Sequence, residues 1–246
     1  MDTTSVALQL YTVRDETARD FAGTVRSVAA LGYQGVEFAG YGGLPAQEMK
    51  ALLAETGLRA VSTHVGLQAL EQDLAKEIAY CQAIGCTFLV LPWLAPELRT
   101  LETFRQLAPR LNAFGRQCQE AGITFGYHNH DFEFVQQNGE TFMDVLLKHT
   151  DSTFVKLESD VYWMAYAGVD PSTFLQQHAG RVPLVHLKDM TPERTFTEVG
   201  AGTLNIAHII EVARASGTQE FIVENDAPRL PSLESAKRSL ENIRRF

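Results

Sequence analysis

Short β-rich runs alternate with longer helical stretches along the whole chain, and this alternation constrains the fold more than any other feature. The β-rich runs occupy residues 6–11, 35–39, 58–64, 87–93, 123–129, 153–159, 182–188 and 220–225. Helical patterns follow at about residues 17–31, 45–55, 71–84, 96–121, 140–149, 171–178, 204–215 and 232–243. Strands that alternate with helices pair in parallel and are covered by those helices. The sequence therefore predicts an α/β fold with one parallel sheet.

Eight strand–helix units in 246 residues predict a single-domain (β/α)8 TIM barrel over residues 1–246. The main alternative is an open, doubly wound sheet, which normally carries a glycine-rich phosphate loop after an early strand. No such loop occurs, and no linker-like or low-complexity segment divides the chain. We therefore expect the closed barrel. Pro109 should kink or divide the helical region at 96–121, because proline lacks a backbone N–H.

Composition argues against several classes of protein. The formal net charge is −9 and no basic stripe is present, which disfavours binding to DNA or RNA. There is no apolar run of about 18 residues, as a transmembrane helix needs, and no pattern typical of a secretory signal. The three cysteines form no metal-type or redox-type pair, so we expect reduced thiols in a cytoplasmic protein. The oligomeric state stays open, and a homo-oligomer is compatible with the sequence.

Polar or aromatic residues recur where the predicted strands end. They are Gln9, Glu37, His64, Trp93, His128, Asp160, His186 and Glu224. The active site of a (β/α)8 barrel lies at the C-terminal ends of its strands, so these side chains should converge on one mouth. Taken singly, each has a structural alternative: His64 as a hydrogen-bonded residue, Glu37 as a salt-bridge partner, Trp93 as wall packing.

Three of these residues, Asp160, His186 and Glu224, come from consecutive strands and can all bind a metal. A mixed set of carboxylates and imidazole suits one divalent ion such as manganese, zinc or cobalt. A fourth ligand should come from the preceding strand, where the segment YHNHDFEF (Tyr127–Phe134) lies. The alternative is a polar mouth whose charges pair with one another.

Several motifs resemble the sugar phosphate isomerase/epimerase superfamily. They are LQLYTVRD (Leu8–Asp15), GYQGVEFAGYGG (Gly32–Gly43), GYHNHDFEF (Gly126–Phe134), LESDVYWMAYAGVDP (Leu157–Pro171), HLKD (His186–Asp189) and VEND (Val223–Asp226). This xylose isomerase-like group of TIM barrels includes inosose dehydratases, ketose 3-epimerases and the AP endonuclease family 2 enzymes. The resemblance covers essentially the whole chain. The motifs are specific for the superfamily but not for a substrate.

The resemblance implies a ligand set for one metal ion. In many members the ion is held by a Glu, an Asp, a His and a second Glu from four consecutive strands, and Asp160, His186 and Glu224 match the last three. The sequence departs at the first position, where His128 stands, and the only nearby glutamate is Glu133. Either His128 binds the metal directly or Glu133 folds back from the loop. We favour Glu133, because it retains the carboxylate-rich set.

The resemblance also implies an activity on a small sugar or cyclitol. We expect a metal-dependent isomerase or epimerase that removes a proton next to a carbonyl and passes through an enediolate. The candidate catalytic residues are His128, His130, Lys188 and Glu37. Lys188 could stabilise an oxyanion or simply pair with Asp189. The residues expected to orient hydroxyls or form the wall are Gln9, Arg14, His64 and Trp93.

Other functions remain as alternatives. Because His128 replaces a glutamate, a dehydratase or lyase acting on an inosose or a 3-keto-sugar is the main one. A DNA repair enzyme of the AP-endonuclease type would need further histidine and carboxylate ligands and a basic face, both of which the sequence lacks. A non-catalytic sugar-binding barrel would not need three metal-capable residues in register.

Overall fold

The computed structural model describes residues 6–246, so residues 1–5 of the predicted domain lie outside the described residues. Eight parallel strands close into a barrel in chain order. They are β1 Val6–Gln9, β2 Gly35–Phe38, β3 Arg59–His64, β4 Phe88–Leu91, β5 Thr124–His128, β6 Lys156–Asp160, β7 Leu184–Leu187 and β8 Glu220–Val223. Leu8 of β1 pairs with Val36 of β2 on one side and with Val223 of β8 on the other, which closes the sheet. The predicted single-domain (β/α)8 barrel is confirmed.

Helices connect the strands and cover the outside of the barrel. The α-helices are Arg14–Thr17, Phe21–Leu31, Ala46–Thr56, Leu67–Ile84, Leu101–Glu120, Phe142–His149, Val161–Tyr166, Pro171–Gln177, Ile206–Ala215 and Ser232–Ile243. Short 3-10 helices span Leu10–Val13, Pro96–Leu98 and Phe132–Phe134. Within residues 6–246, no helix combines the length and apolar character that crossing a bilayer requires.

Two helices differ from the expectations. Pro109 lies inside the continuous helix Leu101–Glu120, so the helix is not divided there. Pro109 is exposed, where a lost backbone hydrogen bond is easily tolerated. The backbone break falls instead at Asp73, within Leu67–Ile84. The Asp73 carboxylate accepts a hydrogen bond from the Lys76 N–H at 3.0 Å, as a residue that caps a new helix start does.

The strands place an apolar layer below a polar one inside the barrel. Side chains two residues apart on a strand point to the same face. A small buried cluster, Ala7, Val61, Phe88, Val90, Leu184 and Ile222, is separate from the larger core that packs against the helices. Gln9, His186 and Glu224 each follow a member of this cluster by two residues. The same alternation that fills the barrel with apolar groups therefore turns polar groups inward nearer its mouth.

The long loop after β7 is organised by Asp189. Its carboxylate accepts hydrogen bonds from the backbone N–H groups of Gly200, Gly202 and Leu204 at 2.9, 3.0 and 3.1 Å. A small antiparallel hairpin, Asp189–Met190 with Phe196–Thr197, follows directly. The Asp189 side chain thus forms its hydrogen bonds with the backbone of this loop.

Candidate active site

A cavity of about 530 Å³ opens at the C-terminal ends of the strands. Its lining comprises Tyr11, Ala39, His64, Pro92, Trp93, His128, His130, Lys188, Glu224 and Asp226. Seven of the eight strand ends, or the loops that follow them, contribute to this lining. This arrangement agrees with the expectation that the polar residues at the strand ends converge on one mouth.

Glu158, which is not among the site residues predicted from the sequence, is the centre of the buried polar cluster. Its Oε2 lies 2.7 Å from His64 Nε2, 2.8 Å from His128 Nδ1 and 3.2 Å from His186 Nε2. Glu158 precedes Asp160 by two residues on β6, so both side chains point into the barrel. That period-two relation was the signal that could have revealed it. We call these four residues, His64, His128, Glu158 and His186, the histidine–glutamate set.

Glu37 lies beneath this set and does not line the cavity. It is fully buried, and its Oε2 lies 2.6 Å from His186 Nε2 and 3.3 Å from His64 Nε2. Ser62 and Gln9 donate hydrogen bonds to the same carboxylate. Glu37 and Gln9 therefore hold the imidazoles in place from below, and neither is placed to touch a molecule in the mouth.

A second group of metal-capable residues, Asp160, His186 and Glu224, shares His186 with the first. Lys188 lies among its carboxylates, with Nζ 3.0 Å from Asp160 Oδ2 and 2.7 Å from Glu224 Oε2. The same ammonium donates to Asp226 at 2.9 Å. Lys188 does not pair with Asp189, because the Asp189 carboxylate is occupied by backbone N–H groups. We call Asp160, His186 and Glu224 the carboxylate set.

Glu133, the favoured fourth metal ligand, lies apart from both sets. It is fully buried and accepts hydrogen bonds from the Tyr127 hydroxyl and the His130 N–H, each at 2.7 Å. The β5 residue that faces the other candidate ligands is His128, the alternative weighed from the sequence. Glu133 shapes the loop that carries His130, so the geometry does not support it as a ligand.

Three other predicted site residues differ in their position relative to the cavity. His130 lines the cavity, and its Nδ1 is buried without a hydrogen-bond partner among residues 6–246. Trp93 stands at the rim with 45% of its surface exposed. Arg14 is not part of the lining; it donates to the Asp226 carbonyl at 2.8 Å and thereby ties the end of β1 to the end of β8.

The charges of the site do not balance within the protein. Among residues 6–246, the site has five carboxylates and one lysine, Lys188; the carboxylates are Glu37, Glu158, Asp160, Glu224 and Asp226. With neutral histidines, four formal negative charges are left over. Burying unpaired charge is costly, so a cation or added protons must compensate.

The pKa values express the same imbalance. Burial alone would lower the pKa of His186, but Glu158 and Glu37 outweigh it and raise that pKa well above its usual value. Burial opposes the positive charge of Lys188 too, yet Asp160, Glu224 and Asp226 raise its pKa. Burial lowers the pKa of His128 to about 4. The neighbouring carboxylates thus favour the charged forms of His186 and Lys188, whereas burial favours the neutral form of His128.

A divalent cation fits this environment. The ligand atoms within each set lie within 4.8 Å of one another. Glu158 Oε1 is buried without a hydrogen-bond partner among residues 6–246, whereas Asp160 Oδ2 and His186 Nε2 have ion-pair contacts with Lys188 and Glu37. Buried polar atoms are normally satisfied, so such an orphan commonly marks an ion or water. The donor set and the surplus negative charge both match a divalent metal.

Comparison with known proteins agrees with the fold and the motifs. Residues 25–246 match the family described as Xylose isomerase-like TIM barrel. The chain belongs to this family. The resemblance drawn from the motifs is therefore confirmed at the level of the superfamily.

The family members most similar in sequence include two inosose dehydratases. The protein from Geobacillus kaustophilus is 27% identical over 186 residues, which is 66% of this chain but only 60% of that protein. The protein from Mesomycoplasma hyopneumoniae strain 7448 is 24% identical over 91% of this chain and 88% of its own length. Among solved structures, a sugar phosphate isomerase/epimerase from Parabacteroides distasonis has a TM-score of 0.84 at 25% identity, covering 96% of both chains.

Replacing Glu133 with glutamine should flatten the dependence of stability on pH. Burial raises the pKa of Glu133 from 4.5 to about 8, so the folded protein keeps a proton that the unfolded chain releases between these values. This contribution is fully present below pH 4.5 and is lost as the pH rises towards 8, by at most about 1.4 kcal/mol per pH unit. Urea unfolding at pH 5 and pH 8 measures the effect as the difference between wild type and Glu133→Gln.

The control is Glu140→Gln, which removes a carboxylate paired with Arg105 nearer the surface. It should leave the pH dependence of wild type in place. If the free energies of unfolding of wild type and Glu133→Gln differ by the same amount at pH 5 and at pH 8, the expectation is contradicted.

Proposed function

We propose that this protein is a divalent-metal-dependent enzyme that removes a proton next to the carbonyl of a cyclic sugar or cyclitol and then expels water. The observation that carries this is the pairing of two groups at one cavity. His130 offers an imidazole at the cavity wall, and Lys188 offers a buried ammonium there. The first suits proton removal and the second suits proton donation to a leaving hydroxyl.

We assign the metal to the histidine–glutamate set. Lys188 already supplies a positive charge to Asp160 and Glu224, whereas no lysine or arginine side chain contacts Glu158 in the part of the chain that is described. Three imidazoles and one carboxylate favour zinc or cobalt over manganese, since imidazole suits the former. When bound, the ion would polarise the carbonyl as a Lewis acid and orient the neighbouring hydroxyl.

The remaining chemistry belongs to side chains of the mouth. The His130 imidazole takes the proton from the carbon beside the carbonyl, and the electron pair of that C–H bond moves to form a carbon–carbon double bond. The bond to the hydroxyl on the next carbon breaks, and Lys188 donates the proton with which that group leaves as water. Asp160, Glu224 and Asp226 keep Lys188 charged until this step.

The sequence relatives support dehydration, because the two similar proteins described above are inosose dehydratases. The second candidate is epimerisation or isomerisation, which the similarity to the Parabacteroides distasonis protein favours. It uses the same proton removal, with the proton returned to another face or carbon. The surplus of carboxylates disfavours a phosphate group within the mouth itself, and equally the phosphates of DNA.

The test is a set of incubations in D₂O with the metal-loaded protein. The substrates are scyllo-inosose, a 3-keto-glucoside and a panel of ketoses. A dehydrated product from one of them, with loss of its α-hydrogen, is expected. Deuterium incorporation without loss of water would select the epimerase or isomerase, and an unchanged, unlabelled panel would overturn both.

A further inference from the structure

A second cavity of about 380 Å³ opens beside the mouth, and the proposed reaction does not use it. Four aromatic rings form its wall: Tyr162, Trp163, Tyr166 and Phe196. Tyr162 stacks on Phe196 with ring centroids 4.2 Å apart. Trp163 stands nearly perpendicular to Phe196, with an interplanar angle of 80°. We call this cavity the aromatic side pocket.

The side pocket adjoins the mouth through Trp163 and the loop after β8. The Trp163 ring lies 5.4 Å from the His130 ring, and the Lys188 ammonium lies 6.0 Å from the Trp163 ring. Ala227 lines the side pocket and directly follows Asp226, which lines the mouth. The side pocket is therefore adjacent to the mouth.

Within the described part of the chain, two arginines are the charged residues that line the side pocket. The Arg194 guanidinium lies 4.3 Å from the centre of the Tyr166 ring and donates to the Tyr166 carbonyl. Arg229 donates to Thr195 Oγ1 at 2.9 Å. Each guanidinium carries five N–H donors, so most remain available to a ligand. Glu193, whose carboxylate interacts with Arg229, is not part of the lining.

The hairpin tip holds Arg194 in an unfavourable backbone conformation. Its φ is 61°, in the left-handed region that favours glycine. Such strain persists where the surroundings fix it and is concentrated at binding sites. Here the Tyr162 hydroxyl donates to the Arg194 carbonyl at 3.0 Å, which ties the strained residue to the aromatic wall.

We propose that the aromatic side pocket binds an anionic aryl group carried by the substrate. Flat rings pack favourably on aromatic walls, and guanidinium groups recognise carboxylates through charge-assisted hydrogen bonds. Two arginines in the lining favour an anionic substituent over a neutral or cationic one. This inference rests on the proposed function, since the aryl group is a substituent of the sugar or cyclitol in the mouth.

Tryptophan fluorescence can test the pocket without turnover, because the chain has only two tryptophans. In a Trp93→Phe background, Trp163 is the sole reporter, and the probes are benzoate and its neutral isostere benzamide. Saturable quenching is expected for both, with benzoate binding about tenfold more tightly, as one charge-assisted interaction would give. Acetate, which lacks the ring, should not quench.

The charge preference should disappear in Arg194→Met and Arg229→Met. The matched control is Arg116→Met, since Arg116 also lies over an aromatic ring, that of Phe154, away from the mouth. Quenching by neither aryl probe, or equal affinities that the arginine variants leave unchanged, overturns the inference. Failure of the proposed function is separate, because it would show as an unreactive D₂O panel while benzoate still bound.

Discussion

Replacing Glu158 with glutamine is expected to abolish stoichiometric metal binding and to lower kcat/KM by at least about 100-fold. The Glu158 carboxylate contacts three imidazoles and is the only carboxylate of the histidine–glutamate set. Glutamine keeps the size of the side chain but removes its charge. Elemental analysis after metal loading and gel filtration measures the first effect, and steady-state kinetics on the substrate found in the D₂O panel measure the second.

Two further variants make this experiment decisive. Glu220→Gln removes a carboxylate at the opposite end of the barrel, where it pairs with Arg59, and should keep full metal content. Glu133→Gln should also keep its metal, because Glu133 bonds to Tyr127 and the His130 backbone. Metal loss in Glu133→Gln together with metal retention in Glu158→Gln would reverse the assignment of the ligands.

Replacing Lys188 with methionine is expected to separate the two halves of the proposed reaction. Loss of a general acid commonly costs about 100- to 10,000-fold, and we expect a fall in dehydration of that order. Proton removal by His130 should continue, so the substrate should exchange its α-hydrogen for deuterium without losing water. Mass spectrometry of substrate and product in D₂O reads out both steps in one experiment.

The controls for Lys188→Met address the metal and the fold. Lys156→Met removes a lysine at the start of β6, where it donates to the Gly180 carbonyl, and should leave both steps intact. The metal content of Lys188→Met should not fall, because Lys188 is not a ligand. If dehydration and exchange decline together while the metal is retained, Lys188 does not act as the separate acid proposed here.

The fold could be predicted from the sequence because each strand–helix unit has a pattern of apolar residues that is visible over a short stretch of the chain. Apolar runs such as Leu184–Leu187 and helices such as Ser232–Ile243 depend mainly on neighbouring residues. Pro109 shows the limit of such reasoning, since an exposed position in a packed helix tolerates a residue that local rules exclude. The short helix Val161–Tyr166 was not predicted, because it begins immediately after a strand. Asp160, the last residue of that strand, caps the helix by accepting hydrogen bonds from the N–H groups of Tyr162 and Trp163.

The site was predicted less completely. Asp160, His186 and Glu224 do lie close together, as the strand ends implied. Glu158 was overlooked because it lies inside a strand, where a glutamate is easily taken for an outward-facing residue. Glu133 was favoured because it is a carboxylate near the right strand, yet the tight turn at Phe132–Phe134 directs it towards Tyr127.

The sequence by itself determined the barrel, the mouth at its strand ends and the membership in a sugar-processing superfamily, since these follow from local periodicity and short motifs. Only the tertiary structure decided which charges meet. His64 and Glu158 are 94 residues apart, and their 2.7 Å contact depends on how the closed barrel sets the strands against one another. The same closure places Lys188 between Asp160 and Glu224 rather than beside Asp189. Electrostatic partners in a barrel contact each other across its interior. Because such residues lie far apart in the sequence, no local sequence pattern predicts their contact.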